Sequence, residues 1–130
     1  MLCRHPFESI EFEVPDAWLI AAGALGFVAQ RSSFAALSEL EWPTVLVPVE
    51  EVQPPRRNAG VTGFHQQRAI SVLKAMVANE PLPAIEVHRM PFAHNCLSVR
   101  DGYHRYFLSL ALGFNMLPVS VRPYFDINAL

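Results

Sequence analysis

Hydrophobic and polar positions change their period several times along the chain, and each change marks an element. Phe7 to Val14 alternates for part of its length, as a half-buried strand does. Pro15 and Asp16 open a helix, with proline near its first turn, and Ala17 to Ala22 continue it until Gly23 and Gly26 weaken it. Ser32 and Ser33 are placed to cap a short helix from Phe34 to Leu40, closed by Trp42 and Pro43. Leu46 to Val52 reads as a strand and Gln53 to Gly60 as a polar turn. From Phe64 to Asn79 the period becomes helical: Ala69, Val72, Leu73, Met76 and Val77 fall on one face, and Pro81 and Pro83 end the run. Ala84 to Arg89 alternates again, with Ile85 and Val87 on one side and Glu86 and His88 on the other. Met90 to Asn95 forms a hairpin connection, and Cys96 to Val99 returns antiparallel. A second amphipathic helix runs from Tyr103 to about Leu112, with His104, Phe107, Leu108 and Ala111 on one face, and stops at Gly113. Val119 to Val121 is a last strand, with Pro118 expected at its edge or start.

This order predicts an α+β domain with a small mixed sheet and helices packed on it over residues 44–130. A mostly helical extension, residues 1–43, precedes it. Trp18 and Phe27 must be covered, so the extension is expected to pack on the core or, as a homodimer contact, on a second copy. The chain's 130 residues, 52% hydrophobic and 17% charged, suit one compact domain with a filled core. The formal net charge of −2 argues against a broad basic face for duplex DNA. Cys3 and Cys96 supply neither a disulfide framework nor a metal spacing, and Cys96 reads as a small core residue. His65, His88, His94 and His104 have no ligand spacing either, so no zinc site is expected. Glu8, Glu11, Glu13 and Asp16 replace the basic region of a secretory signal, and Ala17 to Gln30 is too short to span a membrane. A cytoplasmic location is the default expectation.

The chemistry concentrates in Val99 to Phe107. An apolar strand stops at Asp101 and Gly102, and a helix follows at once. Asp101 is a good N-cap candidate. The free N–H groups of Gly102, Tyr103 and His104, with the positive end of the helix dipole, form a ready anion site. Arg105 adds a guanidinium that can hold a phosphate by two parallel bonds. A strand, a sharp glycine turn and a helix opening on arginine are the parts of a phosphate cradle.

The same residues, Asp101-Gly102-Tyr103-His104-Arg105 before an apolar helix, resemble the Asp-Gly-x-His-Arg signature of the ParB/sulfiredoxin-like superfamily. Val45 to Pro54 resembles the opening strand and its Pro-rich turn, and Gly113 to Val119 the closing segment. The resemblance spans roughly Val45 to Arg122. It implies a nucleotide- or phosphate-binding domain, because relatives include partition proteins that bind CTP, sulfiredoxins that use ATP, a free-serine kinase and proposed nucleases. ATP or CTP with Mg²⁺ is the implied cofactor, with Asp101 reaching the anion through the metal only, since a bare carboxylate repels phosphate. Sulfiredoxins carry their nucleophilic cysteine at the position of Tyr103, so sulfinic acid reduction is excluded for this chain. The helix-turn-helix domain of partition proteins does not follow within these residues, and sequence-specific DNA binding is not expected.

Each candidate has a structural alternative. Asp101 serves equally as a cap, and its catalytic reading is metal binding or proton transfer. His104 is read either as a half-buried core histidine or as a catalytic one. Arg105 is read as a phosphate ligand or as a surface ion pair. Glu50 and Glu51 follow the first strand where the kinase relatives place an acid, which makes Glu51 a further catalytic candidate. Arg56, Arg57, His65 and Arg68, with Gln66 and Gln67, are candidates for a groove beside the cradle. The leading expectation is a nucleotide-binding domain, extending to a phosphotransferase or NTPase. A nucleic-acid-associated regulator or nuclease-like module, and a non-catalytic interaction protein, are the alternatives.

Overall fold

The computed structural model describes residues 1–39, 41–55, 63–89 and 97–123. The candidate groove residues Arg56 and Arg57, the connection from Met90 to Asn95, and Cys96 lie outside them. The chain opens on a two-stranded antiparallel hairpin, β1 (Leu2–Arg4) with β2 (Glu11–Glu13), pairing Cys3 with Phe12. Phe7 to Ile10 belongs to the link between these strands, so only the end of the alternating run is strand. Helix α1 (Asp16–Ala22) starts after Pro15 and ends at Gly23, whose φ of 68° makes the left-handed turn that releases the chain.

Ser32 to Glu39 is not helical: Ser32 and Ser33 lie in a bend, and Ala36 forms a parallel bridge with Leu82. Leu37 N donates to Leu82 O and Leu82 N to Ala35 O, so this segment satisfies its backbone against the connection between α2 (Gln66–Val77) and β5 (Ile85–Arg89). Phe34, 1% exposed, anchors it, which a capped surface helix would not require. Arg31 adds a guanidinium bond to Met76 O at the C-terminal end of α2, where a cation is favoured.

The main sheet has five strands in the order β3-β7-β5-β6-β4: β3 is Thr44–Pro48, β4 Val52–Gln53, β6 Leu97–Asp101 and β7 Met116–Arg122. The β3–β7 and β5–β6 ladders are antiparallel, and β5–β7 and β4–β6 are parallel, which makes the sheet mixed. The run Leu46 to Val52, which reads as one strand, is two. A 3-10 turn at Val49–Glu51 divides it, and its halves lie on opposite edges of the sheet. Four residue steps from Pro48 to Val52 reach at most about 14 Å. The outer strands of a flat sheet of this width stand about 19 Å apart, so the sheet curls until its edges approach.

Pro118 is not at the start of β7 but third within it, buried and opposite Leu46. The β5 ladder begins one residue later, at Val119, so the imino nitrogen falls where β7 has a ladder on one side only.

Helix α2 and helix α3 (Tyr103–Ala111) cover the sheet. Ala69, Val72, Leu73 and Met76 are buried as their period predicts. In α3 the buried residues are Tyr106, Phe107, Leu108 and Ser109; His104 and Ala111 stay at the margin. Phe64, just before α2, is the hub of an aromatic cluster. Its ring centroid lies 6.3 Å from Phe12, 6.3 Å from Trp18, 5.4 Å from Tyr103 and 6.3 Å from Phe107. Residues from the first hairpin, α1 and α3 thus meet at the entrance of α2. Phe27 is covered by Phe114 at 6.1 Å.

Candidate functional site

Two helices begin at the same place. Helix α2 opens after His65, whose Nδ1 accepts the Arg68 N–H at 3.4 Å. Helix α3 opens after Gly102, and no side chain caps it. Asp101 is therefore not the cap that the Asp-Gly pair suggests. It is the last residue of β6, opposite Glu86, and its carboxylate turns to Arg105 at 3.5 Å. The cap position falls to Gly102 because the chain must turn there with φ of 125°, a value that side chains resist. A Cβ at Gly102 would also lie 3.2 Å from Ile85 Cγ2.

Between the two helix starts lies a cleft of about 470 Å³. Gly63, Arg68 and Val72 form one wall, and Asp101 to Arg105 the other. Leu82 and Pro83 close the floor. The first-turn amides of α3 and the positive ends of both helix dipoles open on this space. Arg68 is exposed and brings a guanidinium to the wall.

Arg105 is held more tightly than a free phosphate ligand. Its Nη1 donates to Pro83 O at 2.7 Å and Ala84 O at 2.9 Å, and its Nη2 faces Asp101. With only 13% of its side chain exposed, it ties the entry of β5 to the β6–α3 turn. Burial pulls its pKa below the ordinary arginine value, while Asp101 and Glu86 oppose that shift.

His104 joins the two walls. Its Nε2 accepts the His65 backbone N–H at 2.9 Å. Burial, with Arg68, His65 and Arg105 nearby, lowers its pKa below the ordinary imidazole value. Tyr103 packs its ring on Phe64 and, at 4.9 Å, on Phe107. Of the remaining candidates, His65 and Gln67 line a neighbouring depression together with Arg68 and Ser71.

Glu51 is exposed in the 3-10 turn and does not line the cleft. Glu50 lines a different cavity of about 430 Å³ beside Leu110 and Gly113, past the far end of α3. Among the described residues no group of three or more His, Cys, Asp or Glu is placed to hold a metal ion. No helix among them is long and apolar enough to cross a membrane.

His5, not a candidate from the sequence, lies away from this cleft and lines a depression with Arg4, Glu8 and Glu11. Its Nε2 lies 2.6 Å from the hydroxyl of Tyr106 inside the core. Nothing in its neighbours Cys3, Arg4, Pro6 and Phe7 distinguishes it from a surface residue.

No family profile and no curated protein matches the chain. Solved structures do match. One is the C-terminally truncated chromosome-partitioning protein ParB from Caulobacter crescentus, complexed with CTP-gamma-S. Its TM-score is 0.51 at 18% identity, over 65% of this chain and 46% of that one. A second is a conserved hypothetical protein from Pyrococcus furiosus, with TM-score 0.47 and 16% identity, over 73% of this chain and 36% of that one. The chain thus spans less than half the length of either. Its fold is α+β and ParB-like.

Proposed function

We propose that the cleft between the starts of α2 and α3 binds the phosphate groups of a nucleotide. The observation that carries this reading is the convergence of two helix starts and the Arg68 guanidinium on one cavity, with no side chain capping α3. The CTP analogue held by the ParB neighbour supports a nucleotide as ligand. In this reading the amides of Tyr103 and His104 and the Arg68 side chain contact the anion. Arg105 shapes the cradle from beneath and lends its charge. Asp101, with 69% of its side chain exposed at the cleft, suits a Mg²⁺ ion bridging to phosphate oxygens better than direct contact. Hydrolysis or phosphoryl transfer is the further step this arrangement allows, with Asp101 and His104 as the groups at hand.

Calorimetry with ATP, CTP and GTP, with and without Mg²⁺, tests the reading. Arg68→Ala is the clean variant, because Arg68 is exposed while Arg105 holds two backbone carbonyls. It should weaken nucleotide binding by about 1.5–3 kcal/mol, the range for hydrogen bonds to charged groups. Asp101→Asn should weaken binding only when Mg²⁺ is present. Equal affinities in wild type and Arg68→Ala would refute the assignment.

A further inference from the structure

His104 presents a lone pair, not a proton, to the start of α2. The His65 backbone N–H is a donor only, so the Nε2 that accepts it carries no hydrogen and the neutral ring is protonated at Nδ1. The two groups satisfy each other between the starts of α2 and α3, at the edge of the cleft. Among the described residues, the charged and titratable groups facing His104 are His65 and Arg68 from the start of α2 and Arg105 from its own helix; Asp101 at the end of β6 and Glu86 on β5 face Arg105. The rings of Phe64, at 5.6 Å, and Tyr103, at 5.8 Å, flank the imidazole. Placing a proton on Nε2 would set two donors against each other, N–H against N–H. An oxyanion between them removes that conflict, because its oxygens accept from both.

We propose that the cleft binds a doubly charged oxyanion in a proton-linked step: His104 takes one proton from solvent at Nε2, its bond to the His65 N–H opens, and the anion accepts from both groups. The bond between His65 and His104 is thus the closed state of an anion site. The proposal rests on the reading of the cleft as an anion site and adds its regulation: affinity rises as the medium becomes more acidic.

Inorganic sulfate is the probe, because it stays doubly charged across the pH range where imidazole titrates, so any proton taken up belongs to the protein. Calorimetry on the full chain, from about pH 8 to about pH 5.5 in two buffers of different ionisation enthalpy, reads both affinity and proton uptake. Affinity should rise by up to about tenfold per pH unit as pH falls, the limit for one linked proton. Uptake should approach one proton per sulfate. His104→Gln, whose side-chain oxygen can still accept the His65 N–H, should lose the pH slope and the uptake. His5→Asn, away from the cleft in the contact with Tyr106, should retain both. Sulfate binding that varies with neither pH nor buffer overturns the proposal and leaves the anion reading intact. A slope that persists in His104→Gln also overturns it. If the wild-type chain binds neither sulfate nor a nucleoside triphosphate at any pH, the anion reading itself fails.

Discussion

Gly102 carries more of the site than any charged side chain. Its backbone stands at φ of 125°, and its missing Cβ leaves room for Ile85 and for Arg105 Nη2, 3.3 Å from where that carbon would be. Gly102→Ala should destabilise the fold by about 1–3 kcal/mol, the cost of holding a side chain in so rare a conformation. Urea unfolding measures it, and an unchanged midpoint would contradict the account. The Asp-Gly pair announced a turn before a helix, and the turn is there. Which of the two residues caps the helix was not legible. An aspartate caps when its side chain reaches back over the first turn, and here Arg105 holds that carboxylate instead. The demand on Arg105 was equally hidden, because the carbonyls of Pro83 and Ala84 that it satisfies come from residues about twenty positions earlier.

Elements with strong period were legible: α2, α3, β5 and β6 lie within a residue or two of where apolar spacing puts them. Elements made by distant partners were not. β1 is three residues long and exists because β2 pairs with it, and Ala35 to Leu37 departs from a helix because Leu82 accepts and donates beside it. The His5–Tyr106 contact belongs to this class. Phe7 N and Glu8 N donate to His5 Nδ1 at 3.1 Å and 3.0 Å, which places the ring hydrogen on Nε2, toward the Tyr106 oxygen. Protonation would put a hydrogen on Nδ1 against two donors. Burial accordingly lowers the pKa of His5, as it does that of His104, and raises that of Tyr106. The sign follows. An unfolded histidine takes its proton near pH 6.5, and the folded ones only at lower pH. Below about 6.5 the unfolded state binds more protons, so stability falls as pH falls toward the folded values. Melting temperatures between about pH 8 and about pH 5 should show this decline, and it should be shallower in His5→Asn. An equal slope in the two proteins would exclude His5 as a contributor.

Over the whole molecule, the mixed α+β class followed from the order of elements, while the strand order did not. A run such as Leu46 to Val52 carries no mark that its halves serve opposite edges of one sheet, since both run in the same direction and differ only by a turn of three residues. The short link is a geometric constraint that can be tested. Deleting Glu50 cuts the link to three residue steps, at most about 11 Å, so Val52 or Pro48 is expected to leave its ladder, whereas Glu50→Ala keeps the length. The deletion should lower the melting temperature well beyond the small effect of the exposed substitution. A deletion variant as stable as Glu50→Ala would show that the sheet has slack.

The position of β7 has a consequence for the order in which the molecule can be made. Of the five strands it is the last to be synthesised, yet it stands between β3 and β5 and holds both. A ribosome that has released everything up to Asn115 has produced a sheet with no middle: β3 has no neighbour and β5 only β6. The nascent chain can form α2, α3 and a hairpin, but it must wait for Met116 to Arg122 before the first strand has anywhere to go. Until then Val45 and Leu46, about half exposed even in the finished fold, lie on an unpaired strand. Birth order and spatial order are opposed in this chain, and the interval between them is when it depends most on whatever else in the cell covers apolar strands.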